Sequence, residues 1–359
     1  MGPHPAVAAT RHAVRASLSA LKPGDVVLVA CSGGADSLAL AAAVAFEAPK
    51  AGILAGGITI DHGLQAGSAE QAARVQEVMT GLRLSPALAV AVGVAAPGGG
   101  DPYQGPEAAA RSARYAALAA AAKTTESPGG AWIMLGHTLD DQAETVLLGL
   151  ARGSGARSLA GMAPQAGRYL RPLLGIRRAQ TVAACVALGL VTWDDPQNYD
   201  PAFTRTRVRR ELMPALQTAL GPGVAEALAR TADLLRADAD ALDAIAAAAA
   251  DRLGGTSSAL ADGWSADAVS GLPDAIRHRV LRLAALAAGC PPGALSQRHV
   301  ASLDELVTAW HGQRWADLPG GIRCLRRYGR LLFTRAGGSG GSLPGLVAAA
   351  RSEEPGGRE

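Results

Sequence analysis

Between Val26 and Leu135 the chain alternates short apolar runs with longer segments of helix-forming residues. Val26–Ala30 (VVLVA) is apolar throughout, rich in β-branched residues, and bounded by Pro23-Gly24 before and Ser32-Gly33-Gly34 after. Such a run reads as a buried strand feeding a glycine-rich turn. The residues from Ser37 onward are strong helix formers and predict a helix directly behind that turn. The order then repeats: strands are expected over 53–60, 87–94 and 131–135, and helices over 68–82, 107–123 and from about Asp140. Strands alternating with helices imply right-handed crossovers, so the expected fold class is α/β, a mostly parallel sheet with helices on both faces.

Beyond Pro214 the pattern changes. Val224, Leu228, Leu235, Leu242 and Ile245 recur at helical spacing with no strand between them, which predicts a smaller, mainly helical domain over 216–336 after a first domain over 1–215. Further helices are expected over 273–288 and 302–310, the latter because Ser302 and Glu305 have capping-box spacing. Residues 312–333 predict a small β element with Pro319-Gly320-Gly321 as a turn. The Gly-, Ser- and Pro-rich segment 337–359 predicts a disordered tail.

A length of 359 residues allows two domains with separate cores. Lys and Arg number 34 against 31 Asp and Glu, so a nucleic-acid surface must come from local clustering of arginine rather than from overall charge. The four cysteines, Cys31, Cys185, Cys290 and Cys324, form no C-x-x-C pair; this argues against a structural zinc or iron–sulfur site and suits a reducing compartment. With no apolar signal core and no bilayer-length apolar segment, a cytoplasmic protein without membrane contact is expected.

Ser32-Gly33-Gly34-Ala35-Asp36-Ser37 lies between the first expected strand and helix, where backbone N–H groups and the helix N-terminus converge on one anion site. Two glycines alone would read better as a capped turn; the complete string in this context favours phosphate. Gly33 and Gly34 allow the tight turn, and Ser32 and Ser37 offer hydroxyls. Asp36 beside phosphate calls for an intervening Mg²⁺, which makes it the expected metal ligand. Neither a Walker P-loop nor G-x-G-x-x-G is present. A second group follows the strand at 131–135: Gly136-His137-Thr138-Leu139-Asp140-Asp141-Gln142-Ala143-Glu144-Thr145. On a helix, His137, Asp141 and Glu144 share one face and can hold a metal, a cationic substrate or ATP, with Asp140 as a solvated cap. Arg111 and Arg114 stand one turn apart on an expected helix, and Arg205, Arg207, Arg209 and Arg210 form a dense basic block. Both patterns fit phosphate, and both also occur as ordinary solvated surface.

The string at 32–37 resembles the PP-loop signature of the superfamily that splits ATP into AMP and pyrophosphate. G-H-x-x-D-D-Q-x-E-T over 136–145 narrows the resemblance to the tRNA(Ile)-lysidine synthetase family. So do Asp61-His62-Gly63-Leu64 with Ser68 and Glu70, Ala110-Arg111-Ser112-Ala113-Arg114-Tyr115, Arg152-Gly153-Ser154-Gly155 and Arg171-Pro172-Leu173-Leu174. Trp193-Asp194-Asp195-Pro196-Gln197-Asn198 and Arg205-Thr206-Arg207-Val208-Arg209 complete the series. Gln65, Gln197 and Thr206 depart from the arginine, serine or threonine, and asparagine usual in the family. The series runs in order from residue 24 to 214 and covers the rest more loosely.

The resemblance implies a Rossmann-like, adenine nucleotide alpha hydrolase-like fold using ATP and Mg²⁺. It implies that ATP adenylates the wobble cytidine in the CAU anticodon of tRNA(Ile), and that the ε-amino group of free L-lysine then displaces AMP to give lysidine. On this pattern Ser32, Gly33, Gly34, Ala35, Asp36, Ser37, Asp61, His62, Gly136 and His137 bind ATP. Asp36, Arg111, His137, Asp141, Glu144 and Arg205 serve catalysis, with Asp141 and Glu144 holding the lysine ammonium. Arg111, Arg114, Arg205, Arg207 and Arg209 contact tRNA, joined by Arg277, Arg279 and Arg282 on one expected helix. A homodimer is compatible with all of this. A sulfur-transferring relative would need a cysteine pair or cluster, and an inactive nucleotide-binding module would not need three acids beside a triphosphate.

Overall fold

The computed structural model describes residues 2–61, 63, 67–92, 106–125, 127, 130–153 and 155–335, without the side chains of residues 106–110 and 197. His62, Leu64, Gln65, Ser154 and the tail expected from Gly337 lie outside the described residues. The chain forms two units, one up to Arg236 and one from Ala237.

In the first unit α1 (Pro5–Leu18) precedes β1 (Val26–Ala30). Helix and strand then alternate through α2 (Ala35–Glu47), β2 (Leu54–Asp61), α3 (Ser68–Gly81), β3 (Ala87–Ala91), α4 (Pro106–Thr124), β4 (Trp132–Leu135) and α5 (Leu139–Ala151). A short helix α6 (Ala156–Leu159) and the small strands β5 (Gln165–Ala166) and β6 (Tyr169–Leu170) lead to α7 (Arg178–Ala187). After α8 (Thr204–Arg207) come a π-helical turn (Val208–Leu212), α9 (Met213–Leu220) and α10 (Val224–Arg252). The sheet order is β3-β2-β1-β4-β6-β5, parallel except where β5 meets β6.

Side chains of a strand point alternately to opposite faces, so an uninterrupted apolar strand needs a layer on each side. Val27 and Val29 pack with Val14 of α1, Leu38 and Val44 of α2, Met79 of α3 and Ala184 of α7. Val26 and Leu28 pack on the other face with Ile133, Leu135, and Leu118 and Ala122 of α4. Each Val or Leu buried in this way contributes about 1.5–3 kcal/mol. Helix α1 is not among the elements expected from the sequence. Its signal is the buried series Val7, Thr10, Val14 and Leu18, with Pro5 in the first turn and His4 accepting the Ala6 N–H. A third cluster joins Leu139 and Ala143 of α5 to Val208, Met213, Ala225 and Ala229. The hydrophobic pattern changes at Pro214, but the first part of α10 completes this core, and the unit therefore runs on to Arg236.

The second unit contains α11 (Gly255–Ala261), β7 (Trp264–Ser265), α12 (Ala266–Ser270), α13 (Asp274–Ala287), α14 (Gln297–Thr308), β8 (Trp315–Leu318), β9 (Ile322–Arg327) and β10 (Arg330–Arg335). An antiparallel sheet in the order β7-β10-β9-β8 buries Cys324, Leu331 and Phe333 against Val280, Leu281, Leu303 and Trp264. Helix α14 begins at Gln297 rather than near Ser302, because Ser296 and His299 form the capping box and Ser302 bonds back to the Arg298 carbonyl within the helix. Arg277, Arg279 and Arg282 are engaged inside the unit. Arg277 is buried and holds Asp304 at 2.5 Å, Arg279 holds Asp243 at 2.8 Å, and Arg282 donates to the Leu295 carbonyl at 2.6 Å. They brace the helices; Arg277 is buried in doing so, while Arg279 and Arg282 stay partly exposed. No described helix is long and apolar enough to cross a membrane.

Candidate active site

Strands β2, β1 and β4 are parallel neighbours, so the segments leaving their C-terminal ends emerge side by side, where open α/β sheets bind ligands. Gly34 is the extended N-cap of α2 and carries no side-chain cap, which leaves the first-turn N–H groups of Ala35, Asp36 and Ser37 facing that edge. Gly33 has φ +87°, and a Cβ there would lie 2.8 Å from Val75 Cγ2, so α3 leaves no room for a side chain. The Gly33 carbonyl accepts from the Trp193 N–H at 2.9 Å, which docks the Trp193-Asp194-Asp195-Pro196 segment on the loop. Ser37 Oγ accepts from the Ser32 N–H (3.1 Å) and donates to the Gly34 carbonyl (2.9 Å), so this hydroxyl braces the loop from within. A Cβ on Gly136 would lie 3.1 Å from backbone atoms of Asp36 and Ser37; glycine is what lets the exit of β4 touch the loop. Asp61, at the end of β2, accepts from the Gly63 N–H at 2.8 Å.

Helix α5 starts at Leu139, and Thr138 donates to Asp141 Oδ2 through both its N–H (2.8 Å) and its hydroxyl (2.9 Å). His137 therefore precedes the helix and does not share a face with Asp141 and Glu144, contrary to the expectation from spacing. Asp140 is not a solvated cap either: it accepts from the Arg178 N–H at 2.7 Å and pairs with Arg177 at 3.0 Å. Asp141 and Glu144 are buried, 7% and 1% exposed. Arg178 binds three acids at once: Asp36 through Nε (3.0 Å), Asp141 through Nη2 (2.7 Å) and Glu144 through Nη1 (3.6 Å). Arg209 forks onto Glu144 (2.7 and 3.0 Å) and reaches Asp141 at 3.2 Å, while the Thr181 hydroxyl donates to Asp36. Burial holds the Asp36 carboxyl above the ordinary range in spite of Arg178 and Thr181. At Asp141 burial acts in the same direction but is outweighed by Arg178, the Thr138 N–H, Arg209 and His137, and the pKa is held down. A cavity of about 150 Å³ adjoins the cluster, lined by Asp140, Glu144, Arg177, Arg178, Arg209, Met213, Pro214 and Gln217.

At His137 the charge balance reverses. Burial pushes its pKa down to about 4; Asp141 opposes this, and Arg171, Arg114 and Arg111 reinforce it. His137 Nδ1 and the Nε atoms of Arg114 and Arg171 are buried without partners among the described residues. Arg111 and Arg114 lie over the Tyr115 ring at 5.1 and 5.8 Å, and Tyr115 is tilted against Tyr169 with centroids 5.2 Å apart. Arg111, Ser112, Tyr115 and Arg171 line an open cleft of about 320 Å³.

The block at 205–210 is not one surface. Arg205 Nη2 reaches Thr145 Oγ1 at 3.5 Å, Arg207 donates to the Ala202 carbonyl at 3.2 Å, Arg209 enters the acid cluster, and Arg210 lies 4.4 Å over Tyr199. Arg178, Thr181 and the surroundings of Arg171 were not legible as site components. Arg178 meets Asp36 across 142 positions, a contact made only when α7 packs on α2. Among the described residues no group of three or more His, Cys, Asp or Glu is arranged to hold a metal ion.

A parallel sheet with a phosphate-accepting loop between β1 and α2 and acids at the exit of β4 defines an α/β nucleotide-binding domain of the PP-loop class. The PP-loop domain family matches residues 8–216, and the TilS substrate binding domain family matches residues 265–332. The tRNA(Ile)-lysidine synthase of Thermobifida fusca (strain YX) is 56% identical over 333 residues, covering 93% of this chain and 99% of that one. The tRNA(Ile)-lysidine synthase of Streptomyces coelicolor is 50% identical over 366 residues, with the same coverage of 93% and 99%. The chain belongs to the tRNA(Ile)-lysidine synthase family. Among solved structures, the U34-tRNA thiolase NcsA from Methanococcus maripaludis with its 4Fe–4S cluster aligns with a TM-score of 0.53 at 19% identity, covering 64% of this chain and 80% of that one, which shows a shared fold. The four cysteines of the present chain are free and buried.

Proposed function

We propose that this protein uses ATP to join free L-lysine to C2 of the wobble cytidine in the CAU anticodon of tRNA(Ile). The observation that carries the reading is Arg178, which touches Asp36 at the head of α2 and both Asp141 and Glu144 on α5. A phosphate site and a site for a cationic amine thus lie within the span of one guanidinium.

In the first step the C2 oxygen of the cytidine attacks the α-phosphorus of ATP and pyrophosphate leaves. The N–H groups at the head of α2 hold phosphate, and Arg111 and Arg205 balance the charge that builds up. His137 is neutral near pH 7 and acts as a hydrogen-bonding partner of the nucleotide rather than as a cation. The open cleft beside Tyr115 suits a base extruded from the anticodon loop, where unstacking is least costly.

In the second step the ε-amino nitrogen of lysine attacks C2, AMP departs with the oxygen, and the nitrogen gives up a proton. Three carboxylates, Asp36, Asp141 and Glu144, face two guanidinium groups, Arg178 and Arg209, so the cluster has a net negative charge for an ammonium. Asp141 is held in its ionised form by the helix cap and both arginines, which leaves Glu144 to accept the proton. Met213 and Pro214 supply apolar wall for the lysine methylenes.

Asp36 fits Mg²⁺ as a single carboxylate ligand: its side chain keeps 22% exposure, and each oxygen has acceptor capacity beyond its bond to Arg178 or Thr181. Held by Asp36, Mg²⁺ would supply positive charge for the departing pyrophosphate.

The test is incorporation of labelled lysine into a CAU-anticodon isoleucine tRNA with ATP and Mg²⁺, beside a tRNA of methionine identity. Label is expected only in the isoleucine tRNA, with AMP and pyrophosphate as products. Pyrophosphate release without lysine incorporation would point to a different nucleophile, and no ATP cleavage would defeat the reading.

A further inference from the structure

Three residues of α7, spaced i, i+3 and i+7, reach the head of α2 from one helix face. Arg178 holds Asp36 Oδ2 at 3.0 Å, the Thr181 hydroxyl meets Asp36 Oδ1, and Cys185 Sγ lies 3.3 Å from the Ala35 carbonyl. One helix thus grips Asp36 through both carboxylate oxygens. Thr181 is fully buried, and its stripe continues in Ala184 and Cys185, which share an apolar core with Leu38 and Ala39 of α2. A hydroxyl in such a place carries a desolvation cost that a methyl group would avoid. It has one proton and two acceptors in reach, Asp36 Oδ1 and the Arg178 carbonyl at 2.8 Å. The bond back to the preceding turn is open to any helical threonine and would satisfy the donor without Asp36. Neither the packing of α7 nor its hydrogen bonds require the contact with Asp36; the aim of the carboxylate does.

The outer torsion of an aspartate is broad and roughly two-fold, so nothing intrinsic to Asp36 fixes the plane of its carboxylate. Arg178 holds Oδ2, but the same guanidinium also serves Asp141 and Glu144, and its position depends on all three acids. Thr181 holds Oδ1 from a buried, β-branched residue with few χ1 states. Bonds to two different oxygens define the plane and leave acceptor capacity on each oxygen for a ligand. The single proton of the hydroxyl adds a second property. When a cation takes Oδ1, the hydroxyl turns to the Arg178 carbonyl, and no buried donor is left unbonded.

We propose that Thr181 is a positioning residue for Asp36: it sets the plane of the carboxylate toward a divalent cation shared with the phosphates of ATP, and turns its hydroxyl to the Arg178 carbonyl when that cation binds. The proposal rests on the reading of Asp36 as a metal ligand. The experiment compares the full chain with Thr181→Val, which removes the hydroxyl, Thr181→Ser, which keeps it and removes the methyl group, and Asp36→Ala. Binding of Mn²⁺ together with an ATP analogue carrying a methylene group in its α–β bridge is read from the relaxation of water protons. The Mg²⁺ dependence of pyrophosphate release and the melting temperature are measured beside it. Thr181→Val is expected to bind Mn²⁺ with the analogue about tenfold more weakly, the scale of one hydrogen bond to a charged group. It needs about tenfold more Mg²⁺ for half-maximal release and regains the parent rate at saturating Mg²⁺, with the lysine and tRNA KM unchanged. Thr181→Ser keeps the Mn²⁺ affinity and Mg²⁺ dependence of the parent, although loss of a buried methyl group lowers its melting temperature. A purely structural role predicts that function follows the melting temperature instead. Parent-like Mn²⁺ binding in Thr181→Val, or a serine variant as weak as the valine variant, would overturn the proposal. If the valine variant does not fold, Thr181→Ala supplies the measurement without the hydroxyl. An Asp36→Ala variant that keeps parent Mn²⁺ binding defeats the metal-ligand reading, whereas its loss there beside an unaltered valine variant defeats the role of Thr181 alone.

Discussion

At Asp141 the arginines of the site meet acids, and at His137, four positions earlier, they do not. Arg178 and Arg209 are each bound to two or more of Asp36, Asp141 and Glu144 at 2.7–3.6 Å. Among the described residues Arg111, Arg114 and Arg171 pair with no acid, and their field adds to the burial that lowers His137. The same residue type is paired with an excess of acids on one side, three carboxylates facing two guanidinium groups, and left with surplus positive charge on the other. The acid-rich cluster keeps one negative charge for a substrate ammonium. The arginine-rich side gains by taking up phosphate.

The strongest way to break the acid-rich side is Asp36→Ala. Pyrophosphate release is expected to fall by about 10²–10³-fold, the scale seen when a group that stabilises transition-state charge is removed. The fold is expected to persist by circular dichroism, because Arg178 keeps Asp141 and Glu144. Near-normal release would take Asp36 out of the reaction.

A smaller effect is expected from Arg178→Lys, since an ammonium keeps the charge but lacks the planar fork whose three nitrogens reach Asp36, Asp141 and Glu144. The lysine KM should rise about tenfold, or about 1.4 kcal/mol, with a smaller rise for ATP. A loss of kcat with both KM values unchanged would show that Arg178 does not help to hold lysine in the ground state.

The mildest test addresses the arginine-rich side through pH. His137 has a pKa of about 4 in the folded chain, below the ~6.5 of an unfolded histidine. Above pH 6.5 it is neutral in both states. As pH falls from about 6.5 to 4 the unfolded state takes up a proton that the folded state refuses, so stability is lost across that window and levels off below it. Melting temperatures from pH 7.5 to 4 should fall less steeply for His137→Gln than for the parent; parallel curves would place His137 in an environment without this burial and charge field.

Much of the fold could be read before any tertiary contact was known. Val26–Ala30 is apolar at every position, which requires a layer on both faces, and α2 and α4 supply those layers. The capping box expected at Ser302 failed because spacing alone does not say which serine precedes the buried series Val300, Leu303, Leu306 and Val307; Ser296 does. The burial of Arg277 was not legible for a related reason. A charge on a helix carries no mark of whether an acid or a carbonyl from another element will meet it, as Asp304 meets Arg277.

The sequence by itself determined what depends on neighbours along the chain. It specified the strand–loop–helix order, the two glycines, Gly33 and Gly34, that keep the tight turn free of side chains, and the acids that follow β4. Only the tertiary structure decided which charges compensate one another. Arg178 acquires its role when α7 packs on α2 and α5, and Arg209 leaves its basic block to hold Glu144 from 65 positions away. The physical reason is that an ion pair depends on separation and burial in space. Spacing along the chain constrains these only within a single helix or strand.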